Sequence, residues 1–201
     1  MKLYYATASP FVRKVRMAAQ ELNLTDNIEL VEALVLPGKE NSEYANRVNP
    51  LRKIPALQID DGSVILDSTV ICEYLNDLHG QQQLIPASGP EKWLVQTAHA
   101  MASGIMEAAV SIRYETFLRP EPQRWPVWID EQWEKINNTL GWFNKRNNSD
   151  NMSIDNIALA CALGYLDFRS PEFAWRDDFS KLAAWHGKVS QNASYIATTP
   201  K

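Results

Sequence analysis

The chain has 201 residues, 45% of them hydrophobic and 22% charged, with a formal net charge of −4 and a pI near 5.4. That length can fill one large or two small cores, and the acidic balance gives no general reason to expect nucleic acid, whose phosphates call for a basic excess. No apolar run approaches the length that spans a bilayer and no charged segment followed by an apolar one opens the chain, so no membrane partner and a cytoplasmic location are expected.

In chain order, residues 2–5 read as a short strand that runs into Ala6-Thr7-Ala8-Ser9-Pro10. Serine as N-cap with proline at the next position is a preferred helix start, and Val12, Val15, Ala18, Ala19 and Leu22 then recur at helical spacing. Residues 23–27 break this helix. A second strand is expected over 28–33, and a short helix over 42–47 between Pro37-Gly38 and Asn49-Pro50. Residues 56–59 and 64–66, joined by Asp60-Asp61-Gly62-Ser63, read as a hairpin because Asp and Gly tolerate the positive φ of its turn. A helix over 68–78 completes a β-α-β-α-β-β-α order, the pattern of an α/β domain with helices covering a mixed sheet, assigned to residues 1–80. The composition then shifts, and residues 81–90, with Pro86, Ser88, Gly89 and Pro90, read as a linker. Helices are expected over 91–118, 124–145, 154–167 and 178–191, making residues 91–201 all-helical.

Two cysteines, Cys72 and Cys161, lie far apart in helical patterns, and His79, His99 and His186 are scattered. Neither set has metal or redox spacing, so the thiols read as buried and inert and no metal site is expected. All seven tryptophans fall in the helical half, where Trp125, Trp128, Trp133, Trp142, Trp175 and Trp185 fit a core or a substrate cleft.

One proline carries more. Lys53-Ile54-Pro55-Ala56-Leu57 places Pro55 directly before a strand, where it either simply starts the strand or, if its bond is cis, turns the Ile54 amide and carbonyl outward to pair with an extended peptide. Together with Ser9-Pro10-Phe11-Val12-Arg13-Lys14-Val15-Arg16, Leu66-Asp67-Ser68, Ile71-Cys72-Glu73-Tyr74-Leu75, Ser153-Ile154-Asp155-Asn156 and the run 162–169, this order of motifs resembles the glutathione S-transferase family over essentially the whole chain. The resemblance implies a thioredoxin-like N-terminal domain, an all-helical C-terminal domain and a homodimer. It also implies glutathione as cosubstrate and a small hydrophobic electrophile as second substrate.

Carried onto this chain, the resemblance implies that Ser9 stabilises the glutathione thiolate, the nucleophilic form of the thiol. Ser9 could equally serve only as a helix cap, and Thr7 is the competing hydroxyl. The glutathione-binding set is Phe11, Lys53, Ile54, Asp67 and Ser68. Ile54 would pair with the cysteinyl backbone, Ser68 would hold the γ-glutamyl carboxylate at a helix start, and Asp67, shorter than the usual glutamate or glutamine, would accept from the γ-glutamyl ammonium. Lys53, or more weakly Lys39, would meet the glycyl carboxylate or be solvated. Ser153 and Asn156 resemble the family's capping box, with asparagine where aspartate is usual. The stretch Ile112-Arg113-Tyr114-Glu115 with Phe117 would face the electrophile, Tyr114 and Phe117 being the expected pocket residues. The expected activity is transfer of glutathione to an electrophile. Isomerisation through the same thiolate and non-catalytic binding are the alternatives, while deglutathionylation would call for a cysteine where Ser9 stands.

Overall fold

The computed structural model describes residues 1–80 and 84–200. Four strands, β1 (Lys2–Tyr5), β2 (Glu29–Glu32), β3 (Ala56–Gln58) and β4 (Val64–Ile65), form one sheet in the order β2-β1-β3-β4. β1 pairs parallel to β2 and antiparallel to β3, and β3 pairs antiparallel to β4. The parallel pair needs a crossover, supplied by helix α1 (Pro10–Glu21), which buries Val12, Val15, Ala18 and Ala19. The hairpin turn falls where its residues place it: Gly62 has φ 90° and the Asp61 carboxylate accepts from Ser63 N. Helices α2 (Ser42–Arg47) and α3 (Ser68–His79) complete this half, a thioredoxin-like domain.

The second half is a helical domain built on α4 (Gly89–Arg113), α5 (Pro126–Lys145), α6 (Ile154–Arg169), α7 (Trp175–Asp178), α8 (Ser180–Val189) and α9 (Ala193–Ala197). Helix α6 is its axis. Every residue from Ile154 to Leu166 is buried, as a helix apolar on all sides must be, with α1, α4 and α8 packed around it. The core is therefore continuous between the two halves: Cys161 Sγ lies 3.4 Å from Met17 Sδ on α1. A Cβ placed on Gly164 would stand 2.6 Å from Tyr195 Oη and closer still to Arg13 Nη1, so glycine lets α1, α6 and α9 close on one another.

Several features depart from the sequence expectations. Of the stretch read as a linker, residues 81–83 lie outside the described residues, but Leu84 and Ile85 are buried in the core. Their amides donate to Asn76 Oδ1 at 3.0 and 3.3 Å, and Leu84 O accepts from Ile154 N. Flanking prolines and glutamines suggest a solvated connection, yet two apolar residues suffice to plug the junction of α3 and α6. The helix expected over 91–118 starts two residues earlier and stays α-helical only to Arg113, after which residues 114–118 form one π-helical turn. Glu115 accompanies this turn: its carboxylate accepts from Arg119 Nε at 2.6 Å and from Trp125 N at 3.0 Å, tying the following chain back across the helix end. The helix expected over 178–191 is observed as α8, set off at Phe179 from the one-turn α7 before it, and the short α9, capped by Asn192, is an element that periodicity does not mark.

The capping box is also corrected. Ser153 sits at the N-cap without a side-chain cap bond and instead donates to Asp155 Oδ1 at 2.6 Å. Asn156 is buried and acts as a donor, its amide reaching the carbonyls of Ser149 and Asn151. An aspartate could not donate in this way; the asparagine staples the preceding loop rather than the helix start. Of the tryptophans, Trp175 and Trp185 are core, whereas Trp125 is well exposed.

Candidate active site

Sheet register gathers the expected residues at one end of the sheet. Tyr4 pairs with Ala56 and Leu57 with Ile65, so continuing the ladders sets Ala6 level with Ile54 and Asp67 level with Pro55. Adjacent strands lie about 4.8 Å apart, so the loop carrying Ser9, the Ile54-Pro55 turn and the start of α3 stand side by side.

The first of these is the N-terminus of α1. Ser9 is the N-cap, its Oγ accepting from Val12 N at 3.3 Å, while its carbonyl accepts from Arg13 N. Pro10 has no N–H to satisfy, and Phe11 N, in the first turn where amides have no intrahelical acceptor, is unpaired among the described residues. An acceptor bond at Oγ does not consume the hydroxyl proton. The cap and an anion-facing donor are thus compatible in one serine, with the Phe11 amide beside it. The Phe11 ring itself is half-buried against the core. Thr7 is exposed in the turn before Ser9 and makes no side-chain hydrogen bond among the described residues.

The Ile54-Pro55 bond is cis, as the peptide-pairing reading requires. Ile54 makes no hydrogen bond to the rest of the described chain, so both its backbone groups are open. The residue before it is fixed from behind. Lys53 O accepts from Tyr44 Oη at 2.7 Å and from Asn49 Nδ2 at 2.8 Å, and Asn49 Oδ1 accepts from Leu51 N. Asn49 is buried, although in the sequence it reads as a mere turn residue. A buried asparagine before proline is the kind of group whose two hydrogen-bonding ends hold a loop, and that is the signal that could have marked it. The Lys53 side chain is exposed and unpaired among the described residues, as is that of Lys39.

At the start of α3 the cap is Asp67, whose Oδ1 accepts from Thr69 N at 2.8 Å. Among the described residues the second carboxylate oxygen has no hydrogen-bond partner. Ser68 follows as the first helical residue, buried, and the amides of Ser68 and Val70 have no acceptor among the described residues. Uncommitted amides at a helix start attract an anion.

The helix α1 also carries a buried polar chain whose partners the sequence does not pair. Lys14, fully buried on α1, contacts His99 Nε2 at 2.8 Å and Ser103 Oγ at 3.3 Å. Burial, and then the Lys14 charge, push the His99 imidazole down to about 3, so Nε2 accepts from Lys14 and Nδ1 faces Gln96 Oε1 at 3.4 Å. Gln96 in turn donates to Glu73 on α3 at 2.6 Å. Burial also lowers the Lys14 pKa, against the pull of Cys72 and Asp67 among others. One signal is local: position 14 stands four residues before Ala18 in the apolar stripe of α1, an unusual place for a lysine.

Of the expected pocket residues, Tyr114 and Phe117 lie on the π turn and are both exposed. Burial raises the pKa of the Tyr114 hydroxyl. Burial likewise pushes Cys72 to about 11 and Cys161 to about 12, which fits inert thiols. Among the described residues no cluster of three or more histidine, cysteine or acidic side chains is arranged to hold a metal, and no helix is long and apolar enough to cross a membrane.

A thioredoxin-like sheet with an outward cis-proline turn, joined to a helical bundle, defines the class of protein. The glutathione S-transferase N-terminal domain model matches residues 8–78 and the C-terminal domain model residues 126–188. The uncharacterized GST-like protein YibF of Escherichia coli is 32% identical across all of this chain and 98% of its own. A glutathione transferase family member from Pseudomonas fluorescens Pf-5, solved with bound glutathione, is 39% identical with a TM-score of 0.96, covering all of this chain and 98% of that one. Maleylacetoacetate isomerase of Pseudomonas aeruginosa is 33% identical over 42% of this chain and 40% of its own. The chain belongs to the glutathione S-transferase family.

Proposed function

We propose that the protein is a glutathione S-transferase that activates the glutathione thiol for attack on small hydrophobic electrophiles. The observation that carries this reading is the row set by sheet register: a Ser9 hydroxyl whose proton is free to donate, an open backbone at Ile54 and amides at the start of α3 that have no acceptor among the described residues. Glutathione laid along this row pairs its cysteinyl backbone with Ile54 as an added strand does. Its γ-glutamyl carboxylate meets the Ser68 hydroxyl and the amides of α3, while the free oxygen of Asp67 accepts from the γ-glutamyl ammonium. The exposed Lys53 serves the glycyl carboxylate. The sulfur then falls at α1, where the Ser9 hydroxyl, the Phe11 amide and the positive helix end all favour thiolate over thiol. The bound glutathione of the Pseudomonas fluorescens relative supports the cosubstrate.

The likeness to maleylacetoacetate isomerase favours glutathione-dependent isomerisation as the second reading, since that chemistry draws on the same thiolate. Retention on immobilised glutathione, followed by conjugation assays with a panel of electrophiles, tests the proposal. Retention and turnover of at least one electrophile are expected; binding without turnover of any would overturn the transferase reading.

The loop that presents Ile54 gives a separate prediction. Asn49→Ala removes one of the two donors to Lys53 O and frees Leu51 N, and unmade buried bonds cost about 1–3 kcal/mol. The KM for glutathione should rise several-fold with kcat changed less, as steady-state kinetics at varied glutathione would show. An unaltered KM would mean that Tyr44 alone fixes the turn.

A further inference from the structure

The electrophile side of the site is charged as well as apolar. Met17 faces Cys161 and Arg13 faces Gly164, so α1 and α6 run antiparallel, and one further turn sets the last residues of α6 level with Ser9. Those residues include Phe168 and Arg169. Across from them ends α4, with Arg113 and then the π turn bearing Tyr114 and Phe117. Each guanidinium lies on an aromatic face: Arg113 Cζ is 3.5 Å from the centre of the Phe117 ring and Arg169 Cζ is 4.1 Å from that of Phe168. Stacking of this kind holds a planar cation in place while leaving its edge N–H groups directed outward.

Neither arginine has a carboxylate among the described residues. The neighbouring acids are committed elsewhere, Glu115 to Arg119 and Trp125, Asp167 to Arg176 and Trp175. Arg169 Nε is buried with no hydrogen-bond partner, a cost that a native structure seldom bears without a ligand or a compensating group. The two cations also act on each other. Burial first, and then the Arg169 charge, lower the Arg113 pKa, while the buried Tyr165 hydroxyl, which also interacts with Arg169, acts the other way. Two like charges therefore lie over aromatic faces at the ends of α4 and α6, with no carboxylate paired to either among the described residues.

We propose that the second substrate is an electrophile bearing a carboxylate, which Arg113 and Arg169 bind while its apolar part rests against Phe117, Phe168 and Tyr114. This rests on the transferase reading and narrows it, since a carboxylate matches the forked guanidinium edge.

A matched pair of electrophiles tests it: 4-chloro-3-nitrobenzoate and its uncharged amide, 4-chloro-3-nitrobenzamide. In both, the thiolate sulfur bonds to the ring carbon that carries chlorine, chloride leaves with the bonding pair, and the thiol proton goes to solvent. The wild-type enzyme should show kcat/KM for the benzoate about tenfold or more above that for the amide, the equivalent of one charge-assisted hydrogen bond. Arg113→Gln and Arg169→Gln should each erase most of that ratio, and Arg169→Lys should restore part of it. Equal kcat/KM for the pair in the wild type overturns the inference and leaves the transferase reading intact. A raised KM for glutathione in the glutamine variants, with the benzoate-to-amide ratio unmoved, overturns it too, by assigning the arginines to glutathione itself. If neither compound is turned over, calorimetric titration with the two preformed glutathione conjugates decides the matter. Tighter binding of the carboxylate conjugate sustains the site, and equal binding removes it.

Discussion

Ser9→Ala is expected to raise the pKa of the bound glutathione thiol by about one to two pH units and to lower kcat/KM by about ten- to a hundredfold. The size follows from a single hydrogen bond to a charged group, about 1.5–3 kcal/mol, of which about 1.4 kcal/mol corresponds to one pH unit. The same substitution removes the Oγ that accepts from Val12 N, so about 1 kcal/mol of stability should go with it. Ser9→Asp separates the two roles. Aspartate caps α1 as well as serine does, so stability should hold, but its charge opposes a neighbouring thiolate and the thiol pKa should rise further. Ultraviolet titration of thiolate in the glutathione complex, with denaturation curves for each variant, reads both effects. A thiol pKa and rate unchanged in Ser9→Ala would transfer the role to Thr7.

Acidification should weaken the fold by about 4 kcal/mol between pH 7.5 and pH 5, a large share of the stability of an ordinary domain. Two buried histidines dictate this. Burial holds His99 at about 3 and His186 at about 4, whereas both titrate near 6.5 once unfolded. Because the folded values are depressed, the unfolded chain takes up protons that the native one refuses. Stability is therefore complete above the unfolded value and falls as the pH drops from about 6.5 toward the folded values, by about 2 kcal/mol per histidine at pH 5. For His186 the Asp167 carboxylate opposes burial, while Arg176 and Arg13 add to it. Burial alone would raise Asp167, but hydrogen bonds from Arg176 and Trp175 hold it lower, so it adds to the loss at still lower pH. Urea denaturation across this range checks the slope. His99→Gln, which keeps an acceptor for Lys14, should remove about half of it; an undiminished slope in both His99→Gln and His186→Gln would refute the account.

Much of the row is legible in the sequence. A serine before proline caps a helix by local geometry alone, and a proline directly before β3 limits the turn that precedes it. Hairpin, crossover helix and α3 follow from turn chemistry and periodicity. Less legible is anything whose partner is distant along the chain. Lys14 meets His99 from 85 residues away, and Arg13 donates to Tyr195 O across 182. No local pattern records such a pairing. Leu84 and Ile85 escape a local reading for the same reason: beside prolines and glutamines they look solvated, and only the groove between α3 and α6 makes them core.

The sequence by itself marked most of the elements, because capping, turn and periodicity rules act over short range, and it carried the resemblance to the family in short runs of residues. Only the tertiary structure decided that the loop of Ser9, the Ile54-Pro55 turn and the start of α3 stand in one row, that Asp67 caps α3, that Asn156 donates rather than accepts, and that Arg113 and Arg169 each lie over an aromatic ring with no carboxylate paired to them among the described residues. The physical reason is that strand register and helix packing bring together groups far apart in the chain, and the balance of charge and hydrogen bonds at a site is set by neighbours in space.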